Sequence, residues 1–226
     1  MNFGITRQHF LRLLATAFAI LWLLLAVSPV DRSTWMLENV LVAGSVFTLW
    51  STRRSLPLST LSYFSVFALL CLHVIGAHFT YSLVPYDSAF RSMSGESLTE
   101  LFDLRRNHYD RLVHFAYGML LALPFRELLM LHAGVRGFWS YFLPFDLVLS
   151  SSLAYELLEW CAAIVYGGDL GAAFLGTQGD EWDAHRDMAL AGLGAALTLL
   201  GILLVNRRRR RDLSLEWLQQ LEQKRI

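Results

Sequence analysis

Six long apolar segments constrain the fold of this 226-residue chain more than any other feature of its sequence. An α-helix crosses the hydrocarbon core of a bilayer with about 17 to 25 residues, and each segment is long enough to do so. With a hydrophobic content of 55%, this pattern predicts an all-α, polytopic membrane protein. The predicted spans are residues 10–28, 35–52, 58–79, 110–131, 138–165 and 184–205.

Basic residues mark one side of the predicted bundle. If the six spans alternate in direction, the arginines near their ends fall mainly on a single side. By the positive-inside rule this side faces the cytoplasm, which places both termini there. The basic residues on this side are Arg7, Arg12, Arg53, Arg54, Arg126, Arg136 and residues 207–211.

We expect a single six-helix domain over residues 1–206, with two segments outside the spans. The external loop 80–109 is too long for a bare connection in a compact bundle. Ser97 and Glu100 have the spacing of a helix N-cap, which predicts a short helix there. The basic tail 207–226 is either a cytoplasmic interfacial helix beside anionic lipid or a solvated topology anchor.

Charge balance and cysteine content limit the classes of partner and chemistry. Lys plus Arg equals Asp plus Glu at 19 each, so the net charge gives no indication of nucleic-acid binding. Cys71 and Cys161 both lie in apolar runs, where cysteine behaves as a small hydrophobic residue. We therefore expect membrane lipids as partners and no nucleic acid, and neither a disulfide framework nor a thiol enzyme. Protein partners and oligomeric state stay open.

Ionisable residues concentrate at one level of the predicted bundle. A charged group inside a membrane span is costly, so each is a candidate for function. Four spans carry carboxylates or imidazoles at their external ends, whereas the cytoplasmic ends carry mainly arginines. The residues at the external level are His73 and His78 in span three, Asp110 and His114 in span four, Glu156 and Glu159 in span five, and Asp180, Asp183 and Asp187 around the start of span six.

Each of these residues also has an ordinary structural explanation. An isolated histidine in a span is commonly a hydrogen-bonded packing residue. Glu156 and Glu159 could pair with Arg111 and Arg186, and Asp180 could cap the N-terminus of span six. Such independent explanations do not predict that the groups converge on one level, and convergence favours a site.

Two chemistries would use such a site. In the first, a divalent zinc, iron or manganese ion is bound by neutral imidazole and carboxylate ligands. The candidate metal ligands are His73, His78, Asp110, His114, Asp183 and Asp187, and the candidate catalytic residues are Glu156, Glu159 and Asp180. In the second, no metal binds, and the same groups relay protons or couple ions in a transporter. A buried ion-pair network with a purely structural role is a third interpretation.

Four stretches of the sequence carry a family resemblance. HVIGAHFTYSLVPY at 73–86, NHYDRLVHFAYG at 107–118, YELLEW at 155–160 and GTQGDEWDAHRDM at 176–188 together resemble the YjdF family of bacterial inner-membrane proteins. The resemblance covers nearly the whole chain and implies a small polytopic protein of the cytoplasmic membrane. More distantly, DRLVHF and the small-residue helix after Asp187 resemble the VanZ-like membrane proteins. An enzyme acting on an envelope lipid or another amphiphile is the function we expect first.

Overall fold

The computed structural model describes residues 6–53, 55, 57–168, 171, 175 and 177–223, and this part of the chain is helical and contains no strand. The predicted all-α fold is thereby confirmed, while Arg54 lies outside the described residues. The helices are α1 (Arg7–Leu25), α2 (Arg32–Thr52), α3 (Thr60–His78), α4 (Tyr86–Ser94), α5 (Leu98–Leu101), α6 (Tyr109–His132), α7 (Trp139–Tyr166), α8 (Asp183–Arg209) and α9 (Leu213–Gln223).

Each predicted span coincides with one long helix, and the boundaries differ by a few residues. By length and composition, α1, α3, α6, α7 and α8 could each cross a membrane. The remaining long helix, α2, has 21 residues. Its interior carries two polar residues, Glu38 and Asn39.

The helices α3 and α6 run in opposite directions, which defines two ends of the bundle. Glu127, near the end of α6, accepts hydrogen bonds from the Ser59 amide and the Ser62 hydroxyl at the start of α3, both at 2.8 Å. At the opposite end, Tyr109 donates to the Leu72 carbonyl at 2.8 Å. We call the end that contains Tyr109 and the start of α8 the acidic end. The end that contains Glu127 and the end of α8 is the basic end.

Glycines bring α6 and α8 into close contact. A Cβ atom on Gly118 would lie 1.8 Å from the Ala191 carbonyl oxygen, and one on Gly194 would lie 2.2 Å from the Phe115 carbonyl oxygen. Only glycine allows this approach, because any larger side chain would force the two backbones apart. One turn before Gly118 and Ala191, the same helix faces carry His114 and Asp187. The glycine contact therefore sets the spacing of the candidate site.

The loop between α3 and α6 contains the short helix that the sequence predicts, and α4 in addition. Ser97 caps α5 by accepting a hydrogen bond from the Glu100 amide at 3.3 Å. The Ser97 hydroxyl donates to Asp87 at 2.8 Å, and the Thr99 amide donates to the same carboxylate at 3.0 Å. These two bonds lower the pKa of Asp87. They connect α4 to α5 and fold the loop over the acidic end.

The basic tail forms a helix that packs on the bundle. Asp212 precedes α9 and pairs with Arg126 of α6 at 2.5 Å. Ser214 and Leu218 of α9 are buried, and the Arg7 guanidinium lies 5.4 Å from the centre of the Trp217 ring. The described part of the tail is therefore helical over Leu213–Gln223 and in contact with the protein, which agrees with the helical alternative better than with the solvated one.

Candidate functional site

A cavity of about 360 Å³ lies among α2, α3, α6 and α7. Its volume is in the range of small-molecule sites. Polar side chains line the part nearest the acidic end, and mostly apolar side chains line the rest. The ionisable residues of the lining are His73, Tyr81, Asp110, His114, Tyr117 and Tyr155.

Three predicted metal ligands meet at the acidic end. One ligand atom from each of Asp110, His114 and Asp187 lies within 4.8 Å of the other two. His114 Nε2 lies 3.7 Å from Asp110 Oδ1, one turn away on the same helix. Asp187 is only 2% exposed, and within the described part of the chain its buried Oδ1 atom has no hydrogen-bond partner. This oxygen is free to bind a cation.

Glu156 of α7 adds a third carboxylate to the same imidazole. Its Oε1 atom lies 3.5 Å from His114 Nε2. This oxygen is also buried and has no hydrogen-bond partner among the described residues. Three carboxylates around one imidazole repel one another unless a cation binds or protons are shared. The arrangement therefore calls for a positive charge that the surrounding side chains supply only in part.

His73 belongs to a neighbouring group of hydrogen bonds. Its Nε2 atom lies 3.0 Å from the Glu38 carbonyl oxygen, which can only accept, so Nε2 carries the proton. Nδ1 is then an acceptor, and the Tyr81 hydroxyl donates to it at 2.5 Å. Tyr81 has a left-handed backbone with φ of 57°. Its ring fills the space left by Gly76, where a Cβ atom would come within 2.7 Å of it. This backbone conformation directs the phenol into the cavity.

The Glu38 side chain links this group to α7. Tyr155 donates to Glu38 Oε2 at 3.4 Å, and the Tyr155 ring packs edge-on against His114 with centroids 6.0 Å apart. Glu159, one turn further along α7, interacts with Tyr155. The sequence interpretation missed Tyr81 and Tyr155, which line the cavity, and Glu38, which contacts His73 and Tyr155 behind them. A carboxylate inside an apolar span is the signal that could have identified Glu38.

Arginines occupy the rim of the site. Arg106 pairs with Asp183, and Arg111 and Arg186 both pair with Asp180. These contacts join the segment before α6 to the start of α8. Asp180, predicted to be catalytic, and Asp183, predicted to bind metal, are thus engaged in ion pairs here.

The structure separates the predicted site residues into distinct places. His78 lies apart from the cluster; its Nδ1 atom bonds the Leu25 carbonyl at 2.7 Å and joins α3 to α1. Arg111 and Arg186 pair with Asp180 and not with the glutamates of α7. The groups that converge are Asp110, His114, Glu156 and Asp187, with His73 and Glu159 in the adjacent group and Asp180 and Asp183 at the rim.

The donor set suits a divalent transition metal. One imidazole nitrogen and several carboxylate oxygens are ligands that zinc, iron and manganese accept. The two buried oxygens without partners, on Asp187 and Glu156, are the observation that fits a bound ion. Without an ion, the same groups can hold and pass protons.

Comparison with known proteins places the chain in a family. It is 36% identical over 187 residues to the inner membrane protein YjdF of Escherichia coli (strain K12), which covers 82% of this chain and 85% of that protein. No solved structure matches the chain. The resemblance to YjdF is confirmed, as is the expected location in the bacterial inner membrane, whereas the VanZ-like similarity stays an expectation. A family model described as a predicted membrane protein (DUF2238) matches residues 10–209, and the chain therefore belongs to the DUF2238 family of predicted membrane proteins.

Proposed function

We propose that this protein is a metal-dependent enzyme of the inner membrane that hydrolyses or modifies an envelope lipid or another amphiphile. The observation that carries the proposal is the convergence of Asp110, His114 and Asp187, with ligand atoms within 4.8 Å of one another. The buried, unpartnered oxygen of Asp187 supports it. A structural cluster would be expected to pair its buried oxygens, because an unpaired buried acceptor is costly.

We also propose that all six long helices span the membrane, with both termini in the cytoplasm. The hydrogen bond from Trp22 on α1 to Asn39 on α2, at 2.6 Å, supports α2 as a member of the bundle. The arginines of the basic end favour the cytoplasmic side for that end. The candidate site then opens towards the periplasmic leaflet.

The side chains around the cluster suit acid and base roles. A bound divalent ion supplies a Lewis acid for a phosphoryl or carbonyl group. Glu156 faces His114 and is the carboxylate placed to accept a proton from an attacking group. Tyr81, held by His73, is a phenol that can donate a proton inside the cavity. Glu159, beside Tyr155, assists this proton transfer. Asp180 keeps the rim arginines in position.

An ion-coupled transporter would use the same groups but needs a polar route towards the basic end. Below the acidic cluster the cavity lining is mostly apolar and includes Val66, Leu69 and Leu121, with isolated serine and tyrosine hydroxyl groups between them. A mostly apolar lining favours a binding pocket over an ion pathway that continues to the basic end. Flux measurements in proteoliposomes test the alternative, because an enzyme should show no ion-driven uptake. A purely structural cluster would neither bind metal nor support turnover.

Metal analysis of the purified protein tests the proposal. We expect about one zinc, iron or manganese ion per chain, removed by chelation and restored by reloading. His114→Ala should abolish binding, whereas His78→Ala should retain it, because His78 bonds the Leu25 carbonyl away from the cluster. Folded protein that binds none of these ions would overturn the proposal. Equal loss of metal in both variants would also contradict it.

A further inference from the structure

The cavity has a polar end and a long apolar part. Below His73, towards the basic end, its walls are formed by Val66 and Leu70 of α3 and Leu121 of α6. His73 and Val66 are two turns apart on α3, so this part is about 10 Å deep. A compact polar substrate would leave the apolar walls unused. The shape fits a ligand with a polar group joined to a hydrocarbon chain.

One side of the cavity is open between α2 and α7. Leu41 on α2 and Leu158 on α7 line the cavity, yet they are 39% and 67% exposed to the outside of the bundle. Towards the interior of the bundle, Leu70 of α3 and Ser152 of α7 are only 5% and 2% exposed. The lining residues that reach the surface therefore flank one gap, and the buried ones close the other sides.

The helices on either side of this gap pack mainly on other partners. α2 packs against α3, and α7 packs against α6 and α8. The hydrogen bond from Tyr155 to Glu38, at 3.4 Å, crosses the gap at its polar end. Such a long bond is a weak connection. The gap can thus widen without separating either helix from its main partner.

The surroundings of the gap are apolar. Val40 and Leu157, which lie beside it on α2 and α7, are exposed hydrophobic residues, and so is Trp160. In a membrane protein such a surface faces lipid hydrocarbon. A molecule that enters the cavity through this gap comes from the bilayer and not from water.

We infer that the cavity binds the hydrocarbon chain of a membrane lipid, which enters sideways between α2 and α7 and leaves its head group at the Asp110–His114 end. The inference rests on the proposed function only in taking that end as reactive. The chain site itself is formed mainly by apolar side chains, with the hydroxyl groups of Ser45, Ser151 and Ser152 beside them, and needs no metal. Its volume of about 360 Å³ accommodates a segment of one chain, and its mostly apolar walls favour a lipid over a water-soluble substrate.

Photo-crosslinking in vesicles tests this inference. The full-length protein is reconstituted in phosphatidylcholine vesicles that contain a lysophospholipid with a diazirine in its acyl chain, and labelled peptides are mapped by mass spectrometry. We expect labelling of the α3 segment that contains Val66 and Leu70 and of Leu121 on α6. Labelling confined to lipid-facing residues, such as Leu23 on α1, would overturn the inference.

A pair of α7 variants makes the test specific. Ala154 lines the cavity beside the gap, and Ala154→Trp should reduce labelling of Val66 and Leu70 by about tenfold or more, because each displaced methylene lowers affinity several-fold. Ile164→Trp, at an exposed position nearer the end of α7 and outside the cavity lining, should leave it unchanged. Ser45→Phe on α2 repeats the block from the other side of the gap. Equal labelling in blocked and control variants would refute lateral entry.

The proposed metal site and the proposed chain site can be tested separately. Asp187→Asn should retain the labelling at Val66 while losing any bound metal. Labelling in a protein that binds no metal would support the chain site and refute the proposed metal chemistry. Metal binding without labelling of the cavity would refute the chain site alone.

Discussion

The two ends of the bundle both bury ionisable groups, but they pair them differently. At the basic end, Arg126 is fully buried. It pairs with Asp212 at 2.5 Å, lies 4.5 Å from the centre of the Tyr141 ring, and donates to Ser140 at 3.2 Å. At the acidic end, Asp187 has a buried oxygen with no partner among the described residues. The basic end joins opposite charges, whereas the acidic end collects like charges around His114, inside a rim of ion pairs.

This difference indicates that the ionisable groups of the basic end stabilise the fold, whereas those of the acidic end serve a function. A buried arginine with a carboxylate partner holds helices together, because removing either group leaves the other as a buried charge without a partner. Like charges gathered around His114 lower stability, and such arrangements persist mainly where a ligand or a reaction requires them. The two ends should therefore respond to substitution with opposite signs.

The largest effect is expected at the basic end. Arg126→Met leaves Asp212 without its partner and detaches α9, so the free energy of unfolding should fall by about 3–5 kcal/mol. Equilibrium unfolding in mixed micelles measures the change. Arg208→Met is the matched control, because Arg208 is exposed at the same end and its loss should cost less than about 0.5 kcal/mol. Equal losses in the two variants would show that the pairing with Asp212 contributes little.

A smaller loss is expected where α6 touches α8. Gly118→Ala places a methyl group against the Ala191 carbonyl, which should cost about 1–3 kcal/mol. It should also weaken metal binding by moving His114 away from Asp187. Gly201→Ala on α8 is the control, because a methyl group there would meet no atom within 4 Å. Comparable unfolding curves for both variants would contradict the close contact.

The acidic end should gain stability when a charge is removed. In metal-free protein, Asp187→Asn should raise the free energy of unfolding by about 0.5–2 kcal/mol, because it relieves repulsion with Asp110 and Glu156. Asp212→Asn is the same chemical change at the basic end, and it should lower stability. Thermal unfolding of the two variants shows whether each substitution raises or lowers stability. A loss of stability in both would mean that the acidic cluster is a structural network.

The smallest effect is a pH dependence of the tail. Partial burial raises the pKa of Asp212, but the hydrogen bond and charge of Arg126, together with the hydrogen bonds from the Leu215 and Ser214 amides, outweigh it, and the pKa is lowered overall. A lowered pKa stabilises the attachment of α9 fully above about pH 4, and this contribution is lost as the pH falls through the folded-state pKa.

Hydrogen exchange measures this pH dependence. The amides of Ser214 and Leu215 donate to Asp212 at 3.1 and 3.3 Å, so their protection should decrease between about pH 6 and about pH 3. In Asp212→Asn, protection should be low at both values. Protection that is unchanged at the lower pH in the wild-type protein would contradict the role of this carboxylate.

The sequence predicted the helices well because their signals are local. Each span is a continuous apolar run, and the Ser97 cap depends on residues three positions apart. The helix α4 was missed because its residues are mostly polar and carry no long apolar run. Packing of α9 on the bundle was also missed, because it depends on Arg126, which is 86 positions from Asp212 in sequence.

The candidate site could be predicted only in part. Concentration of His and carboxylate residues at one level identified Asp110, His114, Glu156 and Asp187 as a group. It could not separate His114 from His78, which is equally plausible by sequence but faces the Leu25 carbonyl. Glu38 was missed because it is the only carboxylate in its span and lies near the first turns of the helix, without a His or a second carboxylate one turn away to mark it as part of a group.

The sequence by itself determined that this protein is a helical membrane protein and which level of the helices carries the ionisable groups. Hydrophobic length and charge placement depend on composition along the chain, and they can be identified without knowing any contact. Only the tertiary structure decided which groups meet. The rotation of each helix and the close approach at Gly118 and Gly194 turn His114 towards Asp187, while the gap between α2 and α7 depends on which helices pack together.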